Sequence, residues 1–412
     1  MTTLIKPFRG LRPTPGRAAE VAAPPYDVLS ADEARQRAKD RPWSFLHVSR
    51  PEIDLPADIN PYDPAVYAKA TENIGALLAA GVLTRDAAPC YYAYRLTMGA
   101  HVQTGLVATA SVACYANNRI KKHEFTRPDK EDDRVRQIEA TNAQTGPVLL
   151  AYPDSAAADA LIDAIAKGKA AADVTADDAH ATVRHQIWVL DDAARIDAIT
   201  HCFDGMEALY IADGHHRSAA AARVANARRQ EARELSSDYF LAVIFPQHEM
   251  KILDYNRVVK DLHGMEKSAL VGRLAAAFTV EESTEQVKPS RPGEFGMYLA
   301  GKWHKLAIKP ELIPADPVGR LDVSLLSDHL LGPLLGITDL RRDKRIDFVG
   351  GIRGLSELER RVNSGEMAVA FALHPTRMEQ LMAVADSNQV MPPKSTWFEP
   401  KLADGLVSHV LD

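Results

Sequence analysis

Apolar residues recur at helical spacing over Tyr67–Ala80, and Gly81 follows where a C-cap glycine belongs. The period then shortens. Cys90–Met98 and Gln103–Tyr115 are β-rich and separated by Gly99, which predicts a hairpin. Ala31–Lys39 reads as a short helix, and Ala156–Ala172 as a helix with a small-residue face. Val148–Tyr152, Ile187–Leu190 and Phe240–Phe245 are apolar runs of strand length. Leu209–Ala212 is another, and it passes through Asp213-Gly214 into an alanine-rich helix over Ser218–Arg233. The second half continues in the same style. Helices are expected at Lys267–Ala277, Ser324–Leu335, Leu355–Asn363 and Arg377–Ser387. Strands are expected at Phe278–Glu282, Gly296–Leu299, Lys305–Ile308, Asp347–Val349 and Ala368–Leu373. Such interleaving predicts an α/β or mixed α+β fold with mixed sheets. Clusters of proline, glycine and charge at Asp261–Lys267 and Lys288–Gly296 are the candidate boundaries, giving an N-terminal lobe of residues 1–260 and a C-terminal lobe of 261–412.

Composition narrows this picture. A chain of 412 residues suggests two or three domains. With 49 Lys plus Arg against 55 Asp plus Glu, the formal net charge of −6 argues against a basic, whole-surface nucleic-acid binder. Cys90, Cys114 and Cys202 are odd in number and form no CxxC pair, so neither a disulfide framework nor a cysteine zinc site is expected. The start, Met1-Thr2-Thr3-Leu4-Ile5-Lys6-Pro7, lacks the apolar run of a secretory signal. No stretch of about 18 apolar residues suggests a membrane helix. The expected location is the cytoplasm, and an oligomer is compatible with the composition.

The densest chemistry follows the Leu209 strand, at Asp213-Gly214-His215-His216-Arg217. Gly214 allows a tight turn and the close approach of a ligand. The first N–H groups of the helix lack intrahelical partners and, with the macrodipole, favour an anion such as phosphate. Arg217 adds a planar fork suited to phosphate oxygens. Cations in a first helical turn oppose the dipole, and an anionic ligand would resolve that conflict. Neighbouring residues on a helix face different ways, so His215 and His216 do not readily share one metal ion.

Three further segments carry candidate residues. Lys121–Arg134 is a nearly unbroken polar run after a strong strand. Most of its charges read as a solvated loop and helix start. His123 and Glu124 at the strand's end stand apart, together with Lys130 and Arg134, which share a helix face at a spacing of four. A carboxylate beside cations suits proton abstraction next to phosphate. Thr141–Pro147 is a polar turn that could line the same cleft, with a plain connection into the strand at Val148 the preferred reading. Pro24-Pro25-Tyr26-Asp27-Val28 is rigid, and Asp27 competes with Glu124 as a base, with the preference on Glu124. Near the end, Pro392-Pro393-Lys394-Ser395-Thr396-Trp397-Phe398 offers an ammonium and two hydroxyls beside aromatic residues that should be buried. It lacks the glycines of a P-loop, and is expected to return to the site with the tail.

Asp-Gly-His-His-Arg after a strand resembles the phosphate-binding loop of the ParB/sulfiredoxin superfamily, most closely that of archaeal free-serine kinases. More of the chain is similar to a widespread bacterial and archaeal domain-of-unknown-function family of about this length. That similarity rests on Ala23–Val28, on His123-Glu124 with Thr126, Lys130 and Arg134, on Ala212–Arg217, on Tyr255-Asn256-Arg257 and on Met391–Phe398. It implies a ParB/sulfiredoxin-like unit within the two-lobed chain.

The leading expectation is a nucleotide-dependent kinase for a small hydroxyl substrate, with free L-serine the first candidate implied by the resemblance. Asp213, Gly214, His215, His216 and Arg217 would hold the phosphates of ATP or ADP, with Lys130, Arg134, Lys394, Ser395 and Thr396 as further phosphate contacts. His123 would help neutralise transferring charge. Glu124 or Asp27 would take the proton, and Asp213 would ligate Mg²⁺. The alternative is a ParB-like nucleotide-binding protein, a sensor or a DNA-associated protein, without turnover. No confident helix-turn-helix supports the DNA-associated form. Sulfiredoxin chemistry is set aside, because His215 stands where that family's loop carries cysteine.

Overall fold

A computed structural model describes residues 3–177, 181–230 and 233–412. The fold is mixed α/β, and the chain divides into two compact units. Residues 1–250 and 400–412 form the first, and Lys251–Glu399 the second.

The first unit is built on a nine-stranded sheet. Its order is Ile120–Lys121, Leu209–Asp213, Val148–Tyr152, Tyr239–Pro246, His101–Ser111, Tyr91–Met98, Thr182–Leu190 and Ala172–Asp177, and Ile5–Lys6 also pairs with His101–Ser111. The hairpin predicted around Gly99 is present, with Met98 opposite His101. Two pairings are parallel, Leu209–Asp213 with Ile120–Lys121 and Tyr239–Pro246 with Val148–Tyr152. The strands flanking these pairings are buried apolar runs, as parallel strands covered on both faces require. Leu106, Ala108, Leu150, Ile211 and Ile244 are fully buried in one core. A second core gathers Phe45, Leu46, Val48, Ile74 and Val82 around the helix Pro64–Ala79. A four-stranded sheet joins Leu83–Arg85, Gly10–Pro13, Ser408–Val410 and Ala143–Gln144.

The second unit holds a fully antiparallel six-stranded sheet, in the order Phe278–Ser283, Lys302–Ile308, Glu294–Leu299, Val369–Leu373, Tyr255–Val259 and Ile346–Gly350. Lys251–Leu253 pairs with Trp397–Glu399. The boundary therefore falls ten residues before the expected one, because Tyr255–Val259 is held on both sides by strands of the second sheet. The tail divides too. Pro400–Asp412 belongs to the first unit, whereas Lys394–Glu399 stays in the second, where Phe398 is buried and Trp397 packs edge-on against Tyr255.

Several elements differ from the sequence pattern. The strand expected to run to Tyr115 ends at Ser111, whose side chain accepts from the Cys114 N–H and starts the helix Val112–Ala116. The helix expected from Ala156 stops at Ile165, and Ala172 begins a strand. The alanine-rich helix starts earlier, at His215, and ends at Arg228; residues 231 and 232 of the expected span lie outside the described residues. The helix expected over Ser324–Leu335 is Asp322–Leu326 followed by a wider π turn, Ser327–Leu331. Ala193–Asp204, capped by the Asp192 side chain, is an additional helix. Among the described residues, no helix is long and apolar enough to cross a membrane.

Candidate functional site

Strand direction assembles the site. Leu209 lies opposite Ile120 and Tyr210 opposite Lys121 in a parallel pair, so both strands finish at the same edge. The residues that follow them, Lys122–Glu124 and Asp213–Arg217, become neighbours. Val148–Tyr152 runs antiparallel on the other side, so Gly146 and Pro147 arrive at that edge as well. The helix Pro128–Thr141 then packs on His215–Arg228, with Ile138, Ala220 and Val224 buried between them.

Gly214 is the N-cap of the His215 helix and has φ of 97°, a left-handed conformation that favours glycine. No side chain caps that helix start. The two histidines after it are inward ties. His215 is buried and packs edge-to-face on His123, with ring centroids 4.5 Å apart. Its Nε2 accepts from the His123 N–H at 3.4 Å, and its Nδ1 lies 3.7 Å from Glu124 Oε2. His216 Nε2 accepts from the Arg127 N–H at 3.1 Å, fastening the loop before the Pro128 helix. Burial pushes His123 down to about 4. Burial, then the neighbouring His123, holds His215 well below the ordinary imidazole range. Both rings are neutral at pH 7.

Asp213 sits at the end of its strand, 3.5 Å from Lys401 Nζ and 3.7 Å from Arg217 Nη2. Burial works to raise its carboxyl, but Lys401 and Arg217 together hold it well below the usual carboxylate range. Arg217 does not present an open fork. Its guanidinium points inward and donates to the Pro147 carbonyl. There it lines a cavity of about 30 Å³ with Tyr26, Arg134, Thr145, Gly146 and Asp404. That volume suits ordered water and is far too small for a nucleotide.

The remaining candidates separate into three groups. Arg134 lies 3.9 Å above the Tyr26 ring and donates to Asp133, so it belongs to the cavity wall. Lys130, one turn earlier, reaches instead to the Tyr62 hydroxyl at 3.1 Å. Asp27 is exposed, and its charge acts on Arg134, Arg217 and Asp404. Lys394, Ser395 and Thr396 lie in the second unit. There the Lys394 carbonyl accepts from Arg257, the Ser395 hydroxyl donates to Pro392, and the Ser395 carbonyl accepts from Thr376.

Sequence reasoning missed Lys401 and Asp404, which the tail brings to this edge, and preferred a plain connection for Thr145–Gly146, which lines the cavity. Asp404 is almost fully buried, and its carboxyl is pushed up to about 7 by burial and then by Asp27, against the pull of Arg217 and Arg134. Tyr26 is raised to about 12, again chiefly by burial.

Residues 5–324 match the sequence profile of a family described as protein of unknown function (DUF1015). The chain belongs to the DUF1015 family. No curated protein matches this DUF1015 chain. Among solved structures it is similar to a free serine kinase variant in complex with ADP, at 15% identity and a TM-score of 0.36 over 73% of this chain and 92% of that one. It is also similar to a conserved hypothetical protein from Pyrococcus furiosus, at 16% identity and a TM-score of 0.35 over 73% and 95%. A C-terminally truncated SbnI from Staphylococcus aureus is similar at 13% identity and a TM-score of 0.36 over 72% and 85%. The DUF1015 match includes both strand ends that build the site, and stops short of Lys401 and Asp404.

Proposed function

We propose that this chain transfers a phosphoryl group from ATP or ADP to a small hydroxyl substrate. One observation carries the reading: parallel strand ends set the Glu124 carboxylate beside the uncapped start of the His215 helix. An uncapped helix start is suited to phosphate oxygens, through its N–H groups and its dipole. A carboxylate next to it can accept the proton of an attacking hydroxyl. In that step the hydroxyl oxygen bonds to the terminal phosphorus, the bond from phosphorus to the nucleotide's bridging oxygen breaks, and the proton passes to Glu124. Phosphoryl transfer asks the protein mainly for positioning and charge neutralisation, so few groups suffice.

Asp213 is partly exposed and kept ionised by Lys401 and Arg217, an oxygen donor that fits a hard cation. Magnesium held there would offset charge on the nucleotide phosphates. The cavity behind Arg217 is too small for the nucleotide, so the nucleotide is placed on the outer side of the helix start. Free L-serine is the first acceptor to try, on the likeness of the Asp213–Arg217 loop to that of free-serine kinases.

The test is incubation with ATP or ADP, Mg²⁺ and free amino acids, reading phosphorylated product by mass spectrometry. Glu124→Gln is expected to abolish turnover almost completely and to leave nucleotide affinity within a few-fold, since a base acts in the transition state. Unchanged turnover in Glu124→Gln moves the base to Asp27. Nucleotide binding without product from any hydroxyl substrate replaces the kinase by a nucleotide sensor. No nucleotide binding removes both.

A further inference from the structure

We propose that His123, Glu124 and His215 form a binding site for a divalent transition-metal ion of the zinc class. One ligating atom from each residue lies within 4.8 Å of the other two. Two imidazoles and a carboxylate are a donor set for zinc and its first-row neighbours, and three protein ligands leave positions open for water or a substrate oxygen. Magnesium prefers oxygen donors throughout, so this site is chemically distinct from the Asp213 carboxylate.

The state of His123 carries the argument. The ring is buried, and its Nδ1 has no hydrogen-bond partner. A neutral imidazole keeps a lone pair on one of its two nitrogens, and an Nδ1 in that state can ligate a metal ion without giving up any hydrogen bond. A purely structural histidine pair accounts for the edge-to-face contact with His215, but it leaves a buried ring nitrogen unsatisfied. A metal ion between His123, His215 and Glu124 satisfies it, with His215 moving its proton from Nδ1 to Nε2 and giving up the long 3.4 Å bond from the His123 N–H. The ligands follow the ends of two adjacent parallel strands, His123 and Glu124 just after Ile120–Lys121 and His215 at the helix start after Leu209–Asp213, so the fold brings the three groups together.

Occupancy has a consequence that rests on the kinase reading. A Glu124 oxygen engaged by the ion cannot take a proton, so the zinc-loaded form is expected to be inactive. The binding claim itself needs no nucleotide and no turnover.

The full chain is stripped with chelator, exposed separately to Zn²⁺ and Mg²⁺, desalted, and assayed for metal by mass spectrometry. A single zinc ion per chain and no magnesium are expected to remain. His123→Ala, His215→Ala and Glu124→Gln are each expected to weaken zinc binding by at least about tenfold. Should the histidine variants fail to fold, two readouts still decide. Glu124→Gln alters a half-exposed side chain and should stay folded. Cobalt added to the wild-type chain should show the strong visible bands of a low-coordinate nitrogen and oxygen site. No retained zinc, zinc retention unaltered in folded Glu124→Gln, or a cobalt spectrum like that of the aqueous ion overturns the proposal. Zinc retention with no phosphoryl transfer by the stripped chain supplied with Mg²⁺ keeps the metal site and sinks the kinase; transfer by that stripped chain without zinc retention does the reverse.

Discussion

Two carboxylates within reach of Arg217 are pulled in opposite directions, and the contrast has a measurable consequence. Asp213 is held down, so the stability it contributes is present above the usual carboxylate range and is lost as pH falls through its folded value. Asp404 is pushed up to about 7, so the folded chain holds a proton there that the unfolded chain has released. Its contribution is complete below about pH 4, the ordinary Asp value, and fades as pH rises through 7. Three pKa units at about 1.4 kcal/mol each set the scale on the order of 4 kcal/mol. Asp404→Asn, which cannot ionise, is expected to flatten this dependence. Denaturant midpoints at pH 5 and pH 8 should therefore converge in Asp404→Asn relative to wild type. Parallel pH profiles for the two proteins would show that Asp404 is ionised across the range.

At the level of single elements, the strand–glycine–helix junction is the most demanding piece of geometry. Gly214 has φ of 97°, and a Cβ there would meet Arg217 Nε at 3.1 Å and the Val148 Cα at 3.3 Å. Gly214→Ala is expected to cost at least about 1–2 kcal/mol from the left-handed backbone alone, read as a lowered melting temperature. It should also weaken phosphate or nucleotide binding, because the helix start must shift. Full stability in Gly214→Ala would contradict this geometry. The junction was legible in the sequence because its signals are local: an apolar run, Asp-Gly, then alanine at helical spacing. Its partner was not. Ile120–Lys121 is a strand of only two residues, too short for any pattern, yet its parallel pairing brings His123 and Glu124 to His215. Tyr255–Val259 failed for another reason. Asn256 and Arg257 are both fully buried and interrupt the apolar run that marks a central strand. Asn256 is satisfied by the Leu373 N–H, and Arg257 by carbonyls, so polar residues occupy core positions there.

On the scale of the whole chain, the last thirteen residues complete a fold that starts four hundred residues earlier. Ser408–Val410 lies between Gly10–Pro13 and Ala143–Gln144 in one sheet. Asp404 exchanges both backbone hydrogen bonds with Ala23, and the Leu411 N–H donates to Asn142. Gly405 meets Phe45 so closely that a Cβ would lie 2.6 Å from its ring. Leu402, Leu406, Val407 and Leu411 are all buried. At about 1.5–3 kcal/mol for each such side chain, their burial is worth on the order of 6–12 kcal/mol. That is comparable to the net stability of an ordinary domain, about 5–15 kcal/mol. Loss of the segment also strips Asp213 of Lys401. The six-stranded sheet of the second unit, by contrast, finds every strand partner between Lys251 and Glu399. A chain ending at Glu399 is therefore expected to lose its first unit and keep its second. Hydrogen exchange read by mass spectrometry should show peptides covering His101–Ser111 and Tyr239–Pro246 exchanging rapidly in the truncated chain. Those covering Tyr255–Val259 and Val369–Leu373 should stay protected. Native protection of His101–Ser111 after truncation would mean that the first unit's large sheet stands without the tail, and that Lys401 and Asp404 join a site already formed.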